Sequence, residues 1–432
     1  MNKIYFQNNI NTILYNLIFA IISIIFISYF IKSFFDIPGG TWAYNELFIN
    51  YSAGIIRRGL LGSIYLKLNN LFEIKPLNFF SPIFILLYSA QIFLFYKLLK
   101  KFKNYHLLYI PIIFSPALML FSIYDQTVYL TKDIFTNLTI LIHCFYLVEK
   151  RKNFNIKNYN NFLLFLLIPI ISLNILNHEN QFFFVGVHLL LTSYAYSSEK
   201  VSKKNRKYLY YAIVLIPLSL VVFKSGNWEK IQIINDSIEK FGVKVNDQLA
   251  GNINLAIGGF IKWHFFYHNV SSFINLFICL ILSLFMFFII FHDFIKKKIF
   301  EMKEFYKKNY LIYFFPTLAL FVFALDHGRN INLILTHLIA FYLVLNINMT
   351  RFNAYYYKLT NNFFLKYFIF IFLFFYIFLW YLPQGGGYGG IGQFNDNSSI
   401  IKNSLFSELT RIFMLIYDFI DTNIIKLPRI IV

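Results

Sequence analysis

The chain predicts an all-α, polytopic integral membrane protein with about eleven transmembrane helices. Three observations predict it. Apolar runs of about 20 residues, the span of a bilayer, recur from Ile13 almost to the C-terminus. Of 432 residues, 58% are hydrophobic and 14% charged, whereas a soluble domain carries about 25% charged residues. Short basic clusters follow every second run.

The runs lie roughly at 12–32, 80–98, 107–124, 134–149, 160–177, 181–197, 208–224, 272–292, 310–325, 331–349 and 367–383. The first lacks a small-residue cleavage site and is too long for a signal peptide's apolar region, so it reads as a retained span. Lys97, Lys100, Lys101 and Lys103 follow the second run; Lys150, Arg151 and Lys152 follow the fourth. Lys200, Lys203, Lys204, Arg206 and Lys207 follow the sixth; Lys296, Lys297, Lys298, Lys303, Lys307 and Lys308 follow the eighth. The positive-inside rule places these clusters, and the N-terminus, in the cytoplasm. The formal charge of +19 is therefore split among short loops beside anionic lipid. It forms no continuous basic stripe, and nucleic-acid binding is not expected.

Residues 1–383 read as one transmembrane domain with large outer segments at 33–79 and 225–271. Segment 33–79 is apolar but broken by charges and glycines, which suits one or two interfacial helices. The tail, 384–432, is expected on the outer face. It opens with a glycine-rich linker from Gln384 to Gly392 and continues as an amphipathic helix at about 403–421. No Lys-Ser or Lys-Thr follows the linker, so it is not a phosphate loop.

With this orientation the residues able to do chemistry collect outside. One shared outward-facing site would place them so. Asp36, just past the first run among aromatic residues, suits a general base with raised proton affinity; capping of the Pro-Gly-Gly turn is the alternative. The adjacent Arg57 and Arg58 suit phosphate, either of a substrate or of ordinary lipid headgroups. Trp42, Tyr44 and Glu46 lie in the same outer segment and are further substrate-binding candidates. Asp133 favours the positive end of the fourth helix, whereas Lys132 opposes it and calls for an anionic neighbour. His178-Glu179 forms a tight outer turn that could shuttle protons or bind metal, although its spacing is no zinc motif. Asp326 and Arg329 flank another tight turn, either as a local ion pair or as groups pointing into protein.

His143, His188 and His337 fall singly within apolar runs and read as hydrogen-bonded packing residues. Cys144 and Cys279 read as buried small residues, with no disulfide framework. Trp228, Trp263 and Trp380 fit interface anchoring.

The stretch Asn50-Tyr-Ser-Ala-Gly-Ile-Ile-Arg-Arg-Gly-Leu-Leu-Gly62, with His178-Glu179 and Asp326-His-Gly-Arg329, resembles a group of uncharacterised bacterial polytopic membrane proteins from surface-polysaccharide gene sets. The layout is also similar to membrane glycosyltransferases of the GT-C type: a first span, then a large outer loop opening on an acidic residue. Asp36 and segment 33–79 match that plan. The chain departs from it in having no Asp-Asp or Asp-Glu pair after the first span, which leaves the base and any divalent metal open. The resemblance implies cell-envelope polysaccharide assembly at the outer face of a bacterial inner membrane. A polyprenyl-phosphate-linked sugar donor would be held by Arg57, Arg58 and Lys132, and a glycan or lipid acceptor deprotonated by Asp36. His178, Glu179, Asp326 and Arg329 would shape the pocket. An O-antigen-type polymerase or ligase is the first alternative. A lipid-linked-glycan flippase is the second; it needs polar groups through the bilayer, where these runs carry few charges.

Overall fold

The computed structural model describes residues 13, 16–28, 30–31, 42–101, 112–124, 129–198, 206–223, 228–245, 277–285, 315–320 and 327–346, with isolated positions 368, 376, 380 and 382. Every regular element among them is helical. In chain order these are α1 (Asn16–Ser28), α2 (Trp42–Glu46), α3 (Leu60–Phe72), α4 (Pro76–Lys100), α5 (Phe121–Tyr124) and α6 (Asp133–Lys150). Then come α7 (Ile156–Asn177), α8 (Asn180–Phe183), α9 (Val185–Ser198), α10 (Arg206–Ala212), α11 (Leu215–Phe223), α12 (Trp228–Ile238) and α13 (His327–Asn346). Residues 277–285 and 315–320 are also helical.

Local chemistry sets several boundaries. Pro76 opens α4, where a missing N–H costs nothing, and Lys97 and Lys100 sit in its last turn, where cations suit the helix dipole. α6 carries Asp133 in its first turn and Lys150 in its last. The Asn155 side chain caps α7, accepting the N–H groups of Lys157 and Asn158 at 2.9 and 3.2 Å. A wide π turn at Leu163–Leu167 precedes Pro169, which has no N–H to return to the preceding turn.

α6 is the hub, packed against α4, α7 and α13 and buried along most of its length. Its first turn meets α13 through Asp133 and Arg329. One turn further, Asn137 Nδ2 donates to Asn332 Oδ1 at 3.2 Å, so the two helices run parallel. At the far end of α6, Glu149 pairs with Lys101 at 2.7 Å, just past α4. The described bundle therefore has a charged group at each end of α6.

α4 and α7 are long and apolar enough to cross a membrane; α1 and residues 208–221 are shorter apolar helices. Both long helices turn large side chains outward, with Leu86 69% and Phe165 79% exposed. Cys144 and Cys279 are buried and unbridged.

Three expected runs differ in detail. Within 107–124, residues 114–120 form turns rather than a continuous helix. Pro116 cannot supply a helical N–H, and Asn332 Nδ2 instead donates to the carbonyls of Ala117 and Leu118, each at 2.9 Å. Run 181–197 is interrupted at Phe184, and run 208–224 at 213–214. Trp380 is 3% exposed and packs on Tyr376, so it is an interior residue rather than an interface anchor. Trp228 is 63% exposed, and Trp263 lies outside the described residues.

The described residues of segment 33–79 hold α2, α3 and the first turn of α4. α3 approaches the preceding chain so closely that a Cβ on Gly62 would overlap the Ile49 carbonyl and lie 2.8 Å from that of Leu47. Backbone cannot yield as a side-chain tip can. Gly62→Ala is expected to cost about 1–3 kcal/mol, read as a lower thermal midpoint in detergent or nanodiscs.

Candidate functional site

The site begins with a loop drawn into an unusual shape. Between α2 and α3, Asn50 folds the chain on itself: its Oδ1 accepts the Ser52 N–H at 2.9 Å. Its Nδ2 donates to the Phe48 carbonyl and to Ser237 Oγ of α12, both at 3.0 Å. Arg58 then adopts φ 63°, a left-handed conformation that costs a non-glycine residue about 1–2 kcal/mol. Lys132 holds it there. Its ammonium is fully buried and donates to the carbonyls of Glu46 at 3.1 Å and Arg58 at 2.7 Å, cinching both ends of the loop onto the start of α6.

That geometry turns both arginines toward the turn between α7 and α8. Arg57 Nη2 donates to Glu179 Oε1 at 2.6 Å. Arg58 donates to the same carboxylate, from Nη2 at 2.6 Å and from Nε at 3.1 and 3.2 Å. Arg58 Nη1 also lies 3.1 Å from Glu46 Oε1. On the other flank, Arg329 Nε donates to Asp133 Oδ2 at 2.6 Å, and its Nη2 lies 3.3 Å from His178 Nε2. His178 Nε2 is in turn 3.8 Å from Glu46 Oε1. Five separate stretches of chain thus meet in one ionic cluster.

The cluster's charges are unequal. Among the described residues, Arg57, Arg58, Lys132 and Arg329 face Glu46, Asp133 and Glu179. Burial alone would push the Glu179 carboxyl up, but Arg57 and Arg58 outweigh it and hold it well below the usual range. Burial likewise opposes ionisation of Glu46; the cations Arg58, Lys132 and Arg329 bring it down. Burial lowers Lys132 to about 8 and Arg57 to about 10, the latter helped by its neighbour Arg58. Arg58 moves the other way: burial is outweighed by Glu179 and Glu46, which raise it. Burial and Arg58 hold His178 well below 6.5, so its ring is neutral. A neutral imidazole has one N–H, yet His178 faces two donors: the Asn180 N–H reaches its Nδ1 at 3.2 Å while Arg329 approaches Nε2.

Several buried polar atoms here make no hydrogen bond: both Glu46 oxygens, Asp133 Oδ1 and Arg57 Nε. Native interiors leave few such atoms; three of these are acceptors and one is a donor. A polar cavity with room for about one water adjoins Asp133, lined also by Gln91, Ser122, Thr131, Asn137 and Asn332.

Of the residues singled out by sequence, Glu46, Arg57, Arg58, Lys132, Asp133, His178, Glu179 and Arg329 come together. Asp36 and Asp326 lie outside the described residues, as does the side chain of Trp42, whose backbone opens α2. Tyr44 packs edge-on against Phe48 at 5.1 Å. No group of three His, Cys, Asp or Glu among the described residues is placed to hold a metal ion. Sequence reasoning missed Gln91, Asn137 and Asn332. A signal existed for two of them: Asn137 follows Asp133 by four residues and Asn332 follows Arg329 by three, the spacing of one helix face.

The chain matches no family model, no curated protein and no solved structure.

Glu179→Gln leaves two buried guanidiniums without their shared counter-charge. It is expected to destabilise the fold by about 3–5 kcal/mol in a denaturation series. Lys132 gives a second expectation. Its folded value, about 8, lies below its ordinary 10.5, so above pH 8 the unfolded chain holds a proton the folded one lacks. Stability attributable to Lys132 therefore rises with pH between about 8 and about 10, and Lys132→Met should remove that slope.

Proposed function

We propose that this protein is a multi-pass enzyme of a bacterial inner membrane that transfers sugar from a polyprenyl-phosphate carrier during cell-envelope polysaccharide assembly. The observation that carries the reading is the pair of adjacent, largely buried arginines that share a single, partly exposed carboxylate at one end of the bundle. The outward-facing apolar side chains of α4 and α7, the alternating basic loops and the separation of the two charged ends support about eleven spans with this end outside.

In this mechanism the donor's phosphate takes the place of Glu179 on Arg57 and Arg58. Guanidiniums suit phosphate because each offers paired donors in a fixed fork. As the bond from the anomeric carbon to the phosphate oxygen breaks, its electron pair stays on that oxygen, and the arginines stabilise the charge. The acceptor hydroxyl forms the new glycosidic bond and gives its proton to a carboxylate. Asp36 is one candidate base. Glu179 is another, because leaving the arginine pair removes what keeps its carboxyl so acidic. Lys132 acts at one remove, by fixing the loop that aims Arg58. A divalent cation on the donor phosphate is compatible with this scheme, with no ligand set assigned.

Polymerisation or ligation of lipid-linked oligosaccharides would use the same phosphate clamp, and product chain length separates it from single transfer. Arg57→Lys keeps the charge and loses the fork. It is expected to lower transfer from a polyprenyl-phosphate sugar by about 100-fold with the fold intact. Full activity in that variant would remove Arg57 from the chemistry.

A further inference from the structure

The middle of the bundle holds a second polar assembly, separate from the ionic cluster. His143 of α6 and His188 of α9 stack with ring planes 11° apart, and their Nδ1 atoms lie 3.1 Å from each other. His143 Nε2 lies 2.9 Å from the Tyr159 hydroxyl of α7. Tyr159 donates to Thr192 Oγ1 at 3.0 Å; the single Thr192 hydroxyl hydrogen has two acceptors in reach, the His188 carbonyl at 3.0 Å and the Tyr211 hydroxyl of α10 at 3.1 Å, and it must turn to the second to pass a proton on. All five residues are buried, four of them completely. His337 of α13 lies edge-on to His188, with ring centroids 6.3 Å apart.

Packing alone does not explain these residues. Aromatic hydrocarbons would fill the same volume without leaving polar atoms over. Here His188 Nε2, His337 Nε2 and Thr336 Oγ1 are buried with no hydrogen-bond partner, each at a cost of about 1–3 kcal/mol. An ionisable group at such depth in an apolar bundle points to function. Position adds to this. His143 follows Asp133 by ten residues, about 15 Å along α6 from the ionic cluster. On α13, Arg329, Asn332 and Thr336 share the face that leads inward to His337. At the other limit, Tyr211 lies in α10, which begins with Arg206 and Lys207 of the basic inner segment.

We propose that His188, His143, Tyr159, Thr192 and Tyr211 form a proton relay through the inner half of the bundle. Every member can both donate and accept. The same heavy-atom positions accommodate two proton arrangements. In one, His188 Nδ1–H donates to His143 Nδ1, His143 Nε2–H donates to Tyr159, Tyr159 donates to Thr192, and His188 Nε2 is bare. A proton arriving at His188 Nε2 displaces the Nδ1 proton to His143. His143 releases its Nε2 proton to the Tyr159 oxygen, Tyr159 passes its own to Thr192 and on to Tyr211, and Tyr211 gives its hydroxyl proton to water of the inner aqueous phase. Each group gains one proton and gives one up, so the seam's net charge is unchanged. In the second arrangement His188 carries its hydrogen on Nε2 and His143 on Nδ1; reorientation of the rings and hydroxyls resets the first. The relay stands apart from the transferase reading. It also supplies the mid-depth polar groups whose absence counted against a transport role.

The test is proton flux into proteoliposomes of the full chain, under an imposed pH gradient with a potassium-clamped potential and a trapped pH dye. The relay predicts flux above protein-free vesicles, lost in Tyr159→Phe, which keeps the ring and removes one hydroxyl. It also predicts loss in His143→Gln, whose amide cannot exchange tautomers, with both variants checked for folding by size exclusion. Wild-type flux no higher than in empty vesicles overturns the relay. So does flux that survives both substitutions, because the path then runs elsewhere. Loss of flux in the variants supports it whether or not sugar transfer is detected.

Discussion

The contact on which the rest of the site depends is the Glu179 carboxylate held between Arg57 and Arg58, about 120 residues away in sequence. Neither side could be buried alone. Two adjacent guanidiniums repel each other, and an isolated carboxylate would take a proton rather than enter an apolar interior. Brought together they fix the α7–α8 turn against the loop that precedes α3. The left-handed turn at Arg58 is part of the same arrangement: it places the two side chains on one side of the chain, and Lys132 holds it by its carbonyl. The cluster is thus both a clasp between distant segments and a concentration of positive charge.

That double nature sets its chemistry. A clasp satisfied on all sides would be inert. This one leaves both Glu46 oxygens, Asp133 Oδ1 and Arg57 Nε without hydrogen bonds and carries one more cation than carboxylate among the described residues. Hydroxyl donors would suit the three carboxylate oxygens, while an anion of phosphate's shape would answer the excess of cations and accept from Arg57 Nε. Glu179, at 21% side-chain exposure, is the partner best placed to yield to it.

Much of this was legible in the sequence, because charge in an apolar chain is expensive and so rarely idle. The alternation of basic loops alone sorts Arg57, Arg58, Lys132, Asp133, His178, Glu179 and Arg329 to one end. The partners were not legible. Lys132 looked like a phosphate ligand because a cation opposes a helix N-terminus; its geometry shows it bound to two backbone carbonyls, which no pattern announces. Arg329 read either as half of a local pair with Asp326, which lies outside the described residues, or as a group pointing into protein; its reach to Asp133 on another helix was not legible. The three histidines looked solitary because each lies in a different apolar run, and only the packing of α6, α9 and α13 brings them together. The break at 114–120 was hidden in a continuously apolar run: Pro116 was visible, but the Asn332 amide that serves the freed carbonyls lies over two hundred residues away.

A double-mutant cycle on Arg58 and Glu179 tests this account most directly. The stabilities of Arg58→Gln, Glu179→Gln and the double variant are compared with wild type by reversible denaturation in detergent. A buried, directly bonded pair predicts a coupling energy of about 2 kcal/mol or more, with the double variant less damaged than the sum of the singles. Additivity within about 0.5 kcal/mol would mean that the two side chains do not meet, and the clasp, with the site built on it, would be wrong.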